Sequence, residues 1–300
     1  MTEERKQEIL EIIRNTNRRP AQTGKPLYPE EIMAYPNLCE EIESISRTVD
    51  GFSYRMDILR AKNRGKNCPL FINIHGGGFI GPHRENDTYF SAYMADQIHG
   101  IAVDLDYTLS DAAPYPVALH QCMDALDYVA EHANTWGASA KDISVGGYSA
   151  GGALTAAMGI CCAERGGFVP KLQILCYPPL EYRIPDQYKI DAYDRQIGME
   201  RCKAFADLYF DDKKENFEDI HNSPLYAPRE ILAKQPKTLI LSAGLCNFRY
   251  EDEDYAICLA DAGVEVILKR FPEASHGFIP HFMDGWKEAA DLMVREILEK

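Results

Sequence analysis

The chain has 300 residues, of which 46% are hydrophobic and 26% charged, and it carries a formal net charge of −14. That length suits one large domain or two small ones and buries roughly three quarters of the unfolded surface. The negative charge argues against nucleic acid and anionic membrane surfaces as partners, because both repel it.

The opening stretch, "MTEERKQEILEIIRNTNRR", sets Ile9, Ile12 and Ile13 on one side of a predicted helix. It is charged and has no apolar h-region, so it does not read as a secretory signal. A proline-rich irregular stretch follows. "SISRTVDGFSYRMDILRA" then reads as two strands turning at Asp50-Gly51, a hairpin signal. From there short apolar runs alternate with helical patterns. The runs are "PLFINIHG", "IAVDLDY", "DISVGGYS", "LQILCYP", "KTLILSAG" and "VEVILKRF". One helical pattern covers 115–133, with Val117, Leu119, Met123, Leu126 and Val129. Such alternation predicts an α/β fold, a parallel sheet covered by helices on both faces, with the hairpin at its leading edge. Residues 183–226 are too long for a connection and carry their own helical pattern. They read as an insertion over the C-terminal ends of the strands, joined there by the N-terminal segment.

Nine cysteines, none in a C-x-x-C pair and several in apolar runs, suit buried thiols in a reducing compartment. No run approaches 18 apolar residues, so no membrane span is expected. The expectation is a soluble, cytoplasmic protein.

Three motifs carry chemistry. Gly147-Tyr148-Ser149-Ala150-Gly151 ends a strand and opens a helix. Glycines there permit a tight turn that lifts the serine hydroxyl above the sheet and points the next N–H at the same spot. A glycine-rich strand-to-helix turn without chemistry is the plainer alternative. His75-Gly76-Gly77-Gly78 follows the preceding parallel run, and three glycines let backbone N–H groups reach a developing oxyanion. A phosphate loop is the competing reading, but G-x-x-x-x-G-K-[ST] is missing. His276, in "FPEASHGFIP", follows the last apolar run. It alone among eight histidines combines a post-strand loop with a place after the serine in chain order. His99, His120 and His132 fall on helical patterns. His83, His221 and His281 lie in predicted loops with no such argument. All three motifs sit at strand C-terminal ends, where open α/β sheets place their ligands.

"HGGGF", "DYTLSDAAPYPVAL", "GYSAGG", "YPPL", "SPLYAP" and "SHGF", in this order, resemble the hormone-sensitive-lipase-like group of α/β-hydrolases from about residue 45 onward. Many of its members are carboxylesterases or acetyl esterases. The resemblance implies one α/β-hydrolase domain over 1–300, with an eight-stranded, mostly parallel sheet. It also implies a small helical cap from about 1–40 and 183–226, inserted after the sixth strand. Carried over, it makes Ser149 the nucleophile, His276 the base, and the N–H groups of Gly77, Gly78 and Ala150 the oxyanion donors. It implies hydrolysis of short-chain, acetyl-type esters through an acyl-enzyme, with no metal or organic cofactor. A small-molecule ester is then the partner, and a homodimer is left open.

Two positions depart from the family. Tyr148 stands where the family usually has Asp. After the seventh strand, where the family reads A-G-x-D-P-L-R-D-E, this chain reads "AGLCNFRYED", with Cys246 at the place of the triad acid. Glu181, just past the sixth strand, is the first candidate for a relocated acid, against the plainer reading of a solvated loop carboxylate. Glu251 and Asp252 come next, although their place suits the start of a helix. Cys246 itself accepting a hydrogen bond, or a Ser–His dyad with no acid, stays open. A non-catalytic binder that kept the pocket is the alternative to an esterase, with an amidase or peptidase a further one.

Overall fold

The computed structural model describes residues 1–16, 28–184 and 198–299. The proline-rich stretch over 17–27 and the first part of the expected insertion, 185–197, lie outside the described residues.

Eight strands form one sheet among the described residues: β1 (Glu43–Val49), β2 (Phe52–Arg60), β3 (Cys68–Ile74), β4 (Ile101–Asp106), β5 (Ala138–Tyr148), β6 (Leu172–Cys176), β7 (Lys237–Ala243) and β8 (Val266–Phe271). Their order is β1-β2-β4-β3-β5-β6-β7-β8. β2 runs antiparallel to β1 and β4; the other pairings are parallel. The leading hairpin turns where the sequence places it, with Val49 paired to Phe52 and both Asp50 (φ 53°) and Gly51 (φ 83°) left-handed. Two positive φ values are what a two-residue hairpin turn of this hand needs.

The helices are α1 (Glu3–Asn15), α2 (Glu30–Met33), α3 (Glu85–Gln97), α4 (Val117–His132), α5 (Ala150–Arg165), α6 (Met199–Tyr209), α7 (Glu215–Glu218), α8 (Arg229–Leu232), α9 (Arg249–Asp261) and α10 (Trp286–Leu298). Side chains of β3 alternate between two apolar layers, as the period-2 geometry of a strand demands. Leu70, Ile72 and Ile74 face Leu119, Leu126 and Val129 of α4 and Leu154 and Met158 of α5. Phe71 faces the other way, into the layer holding Phe90 and Met94 of α3 and Met293 and Ile297 of α10. β3 and β5 are buried at the centre of the sheet, so the loops leaving their C-terminal ends have a rigid base.

β5 begins at Ala138, earlier than the apolar run at Asp142 suggests, because its first residues pair Ala138 with Cys68 across a register shift. The nine cysteines are free thiols. Among the described residues, no helix is long and apolar enough to cross a membrane.

The insertion after β6 contributes α6 and α7. Ile9 and Ile13 of α1 are buried against Ala204 and Leu208 of α6, with Ile12, Ile80 and Phe205 at the margin. Arg5 of α1 reinforces the contact by donating to Asp207 at 3.1 Å. The amphipathic stripe read from the opening sequence therefore meets a partner far away in the chain.

Ile9→Ala truncates a fully buried side chain in this contact and costs about 2–5 kcal/mol of α1 docking. Hydrogen exchange checks it. Amides of α1 exchange faster in the variant while those of β3 and β5 stay protected; uniform protection in α1 contradicts the packing role.

Candidate active site

The elbow after β5 is backbone against backbone. A Cβ on Gly151 would fall inside the radius of Ile74 O, and one on Gly147 would overlap the Gly151 carbonyl and lie 2.8 Å from Ile74 O. Neither position accepts a larger residue, and the close approach sets the start of α5 directly beside the end of β3. Ser149 sits at the apex with φ 53° and ψ −119°, a strained conformation for a residue with a side chain. Its N–H donates to Cys176 O at 2.9 Å and its carbonyl accepts from Ala153 N at 2.9 Å, so β6 and α5 hold the turn on both sides.

The loop leaving β3 folds against this elbow. A Cβ on Gly76 would lie 2.8 Å from Tyr148 O and 3.4 Å from Ser149 Cβ. Gly77 (φ 119°) and Gly78 (φ 64°) take left-handed conformations that turn the loop. It closes on itself through Gly81 N to Gly77 O at 2.8 Å. Among the described residues, no backbone hydrogen bond takes up the N–H groups of Gly77, Gly78 or Ala150. The last belongs to the first turn of α5, where N–H groups have no intrahelical acceptor and the helix dipole is positive.

His276, in the loop after β8, places Nε2 2.8 Å from Ser149 Oγ. Its Nδ1 lies 3.0 Å from Cys246 Sγ, and that sulfur accepts from Phe248 N at 3.4 Å. The ring is met edge-on by Tyr177 at 5.0 Å and Phe248 at 5.6 Å between centroids. Burial, and secondarily the charge of His281, push the His276 pKa down from 6.5 to about 3. The imidazole is therefore neutral across the physiological range, with a lone pair available to a proton donor.

The structure thus brings Ser149, His276 and Cys246 into one line, with Gly77, Gly78 and Ala150 beside it. It takes the three candidate carboxylates elsewhere. Glu181 is buried, at 3% exposure, rather than solvated. It accepts from Ile184 N at 2.8 Å and from the Tyr226 hydroxyl. Glu251 accepts from Leu180 N at 2.7 Å, joining α9 to the segment after β6. Asp252 is fully buried, and desolvation raises its pKa well above the ordinary carboxylate value. Neither acid acts as the solvated first-turn charge that the sequence suggests, because α9 lies against the sheet along that face.

Sequence reasoning did not single out Tyr177, Phe248 or Phe205. Tyr177 directly follows the end of β6, and that position was the available signal. Phe205, on α6, lies flat on Gly78: a Cβ there would be 2.5–2.6 Å from three ring carbons. Nothing in the local pattern pairs a helix residue with a glycine so distant in the chain. Among the described residues, no group of three or more His, Cys, Asp or Glu could hold a metal ion.

Comparison with known proteins fits this geometry. The profile of a family described as alpha/beta hydrolase fold matches residues 71–280. Esterase LipI of Mycobacterium tuberculosis is 30% identical over 217 residues, covering 71% of this chain and 66% of that protein. A thermostable esterase from Pseudomonas putida superposes with a TM-score of 0.74 at 26% identity, covering 98% of this chain and 95% of the other. An esterase of Pyrobaculum calidifontis gives a TM-score of 0.81 at 24% identity over 99% and 98% of the two chains, a likeness of fold. The chain spans 61–66% of the length of three curated relatives that it matches.

Cys246→Asp sets an anionic acceptor on Nδ1, which favours imidazolium and raises the His276 pKa from about 3. NMR titration of labelled histidine reads this as a midpoint moved toward neutrality. An unchanged midpoint means that residue 246 does not govern the ring.

Proposed function

The chain belongs to the α/β-hydrolase family, in its hormone-sensitive-lipase-like group, and from that premise we propose that it is a serine carboxylesterase acting on short-chain acyl esters. The observation that carries the reading is the Ser149 Oγ to His276 Nε2 contact of 2.8 Å at the apex of a strained elbow. Ser149 attacks the ester carbonyl while His276 takes the hydroxyl proton at Nε2. Negative charge on the former carbonyl oxygen is met by the N–H groups of Gly77, Gly78 and Ala150, preorganised donors of the kind worth most in a dry site. The tetrahedral intermediate collapses, His276 returns the proton to the leaving alcohol, and an acyl group stays on Ser149. Water then attacks the acyl carbon and gives a proton to His276; the bond to Ser149 Oγ breaks, His276 returns the proton to that oxygen, and the acid leaves.

α1 and α6 serve as the cap in this reading, with Phe205 over Gly78. The described part of the 183–226 segment is mixed and charged, unlike an interfacial lipase surface. That composition favours small soluble esters over long-chain lipids, and a small ester is the proposed partner. The thiol at the family's acid position supports a second reading, a pocket that binds a small molecule without turning it over. Against it stand the aligned nucleophile, histidine and oxyanion loop, none of which a binder requires.

Hydrolysis of p-nitrophenyl acetate decides between them. Turnover by the native chain is expected, with kcat falling about 10⁴-fold or more in Ser149→Ala; native activity no higher than the variant's sinks the enzyme reading. Across p-nitrophenyl esters of increasing acyl length, kcat/KM is expected to peak at the short end. Preference for the long chains contradicts the proposed substrate class.

A further inference from the structure

The loop that carries Gly77 and Gly78 leaves β3, yet its fixed points lie on β4 and the segment that follows it. At its start, the His75 ring stacks on Tyr107 with centroids 4.3 Å apart, and the Tyr107 hydroxyl donates to His75 O at 3.2 Å. In mid-loop, Phe79 O accepts from Ser110 N at 2.8 Å and Ser110 Oγ at 3.0 Å, both in the segment after β4. At its end, His83 Nε2 meets Asp104 Oδ2 at 2.6 Å. Asp104 is part of β4 and points into the protein. Its side chain is fully buried and that of His83 is 8% exposed. Asn73, its register partner on β3, donates to Asp104 Oδ1 at 3.1 Å and to Ser91 Oγ at 3.0 Å. The His83 ring also meets His75 edge-on at 5.7 Å, so the two ends of the loop touch each other.

We propose that His83 and Asp104 are positioning residues for the reaction: their buried contact fixes the loop that aims the Gly77 and Gly78 N–H groups at the developing oxyanion. This rests on the esterase reading of Ser149 and of the glycine loop. The contact is not explained by the fold alone. An acid fully buried in mid-strand is expensive, and it needs partners held in place. Asn73 of β3 supplies a neutral donor, and His83 of the loop supplies the ionisable one. The loop's own internal closure, through Gly77 and Gly81, is local. His83 adds a tie to β4 five residues past Gly78.

Charge strengthens the anchor. Burial works against a charged His83, but the Asp104 carboxylate outweighs it and raises the histidine pKa, with Asp87 and Asp106 adding to the effect. His75, fully buried between Tyr107 and His83, is pushed the other way, to about 4, by desolvation. A neutral ring at the start of the loop therefore faces a cationic one at its end, and the two do not repel.

His83→Ala and His83→Gln test the proposal in the full-length protein, with p-nitrophenyl acetate as substrate. Working sites are counted by endpoint titration with a fluorophosphonate that labels Ser149. With the loop loosened, His83→Ala is expected to lose about 10–100-fold in kcat per titrated site, with KM within about two-fold. His83→Gln keeps an N–H donor toward Asp104 and is expected within about three-fold of the native kcat. A per-site kcat in His83→Ala equal to the native value overturns the proposal, as does a loss carried by KM. If His83→Ala titrates no sites, His83→Gln/Asp104→Asn is compared with Asp104→Asn alone. Recovery of per-site kcat in the double variant is expected, and equal losses in both overturn the proposal. Failure of the esterase reading is separately visible, as native protein that neither titrates nor turns over.

Discussion

The site depends on one close approach of backbones, between the end of β3 and the turn from β5 into α5. Gly147 and Gly151 press against Ile74 O with no room for a Cβ, and Gly76 packs on Tyr148 O in the same way. These contacts decide where Ser149 stands relative to the loop leaving β3. The strain at Ser149 is held because the turn is tied to β6 and to α5 at once. Adding a methyl group at any of these three glycines moves the two loops apart. The spacing between Ser149 and the start of the glycine loop at Gly76 is therefore set by main chain, and side-chain contacts hold the rest of that loop.

Against that rigid base the histidine is less firmly specified. A general base at Nε2 needs the other ring proton on Nδ1, held by an acceptor. A carboxylate accepts only, and so fixes the tautomer. A thiol can accept a hydrogen bond from Nδ1 or donate one to it, and the second choice puts the proton on Nε2, where it blocks the serine. The Phe248 N–H donating to Cys246 Sγ occupies one acceptor site of the sulfur without deciding between the two. The same substitution takes away the negative charge that would raise the imidazole pKa, leaving burial to depress it. Both effects weaken the base, and neither disturbs its geometry. In serine proteases a wrong tautomer at this place costs about 10⁴ in turnover.

Much of this was legible in the sequence, for identifiable reasons. Short apolar runs alternating with helical patterns, and the Asp50-Gly51 turn, pointed to the sheet and its leading hairpin, because strands buried on both faces and a two-residue turn each leave a local pattern. The elbow and the glycine loop were readable because only glycine satisfies their contacts, so the constraint is written in the residue type. The place of Cys246 followed from aligned spacing around Arg249. The fate of Glu181 and Glu251 was not readable, since it depends on how α9 and the segment after β6 lie against each other. A carboxylate next to a strand end can face solvent, a histidine or a backbone N–H, and the one-dimensional pattern is the same for all three. His83 stayed hidden for a related reason: its partner is on a strand whose acidic residues read as punctuation in an apolar run.

The helices above the sheet connect these two kinds of constraint. Tyr209 of α6 stacks on Phe79 at 3.7 Å, and Phe205 lies on Gly78, so α6 grips the glycine loop from above while β4 holds it from below. Tyr115 N donates to Tyr209 O at 2.8 Å, which ties the end of α6 to the segment after β4 as well. A change in α6 therefore reaches the loop through packed aromatic rings rather than through open pocket space. Gly78 then meets two demands. It turns the chain with a positive φ, and it leaves room for a phenyl ring where any side chain would collide. The second demand exists only because an inserted helix packs there, so the insertion and the loop have to match each other in shape.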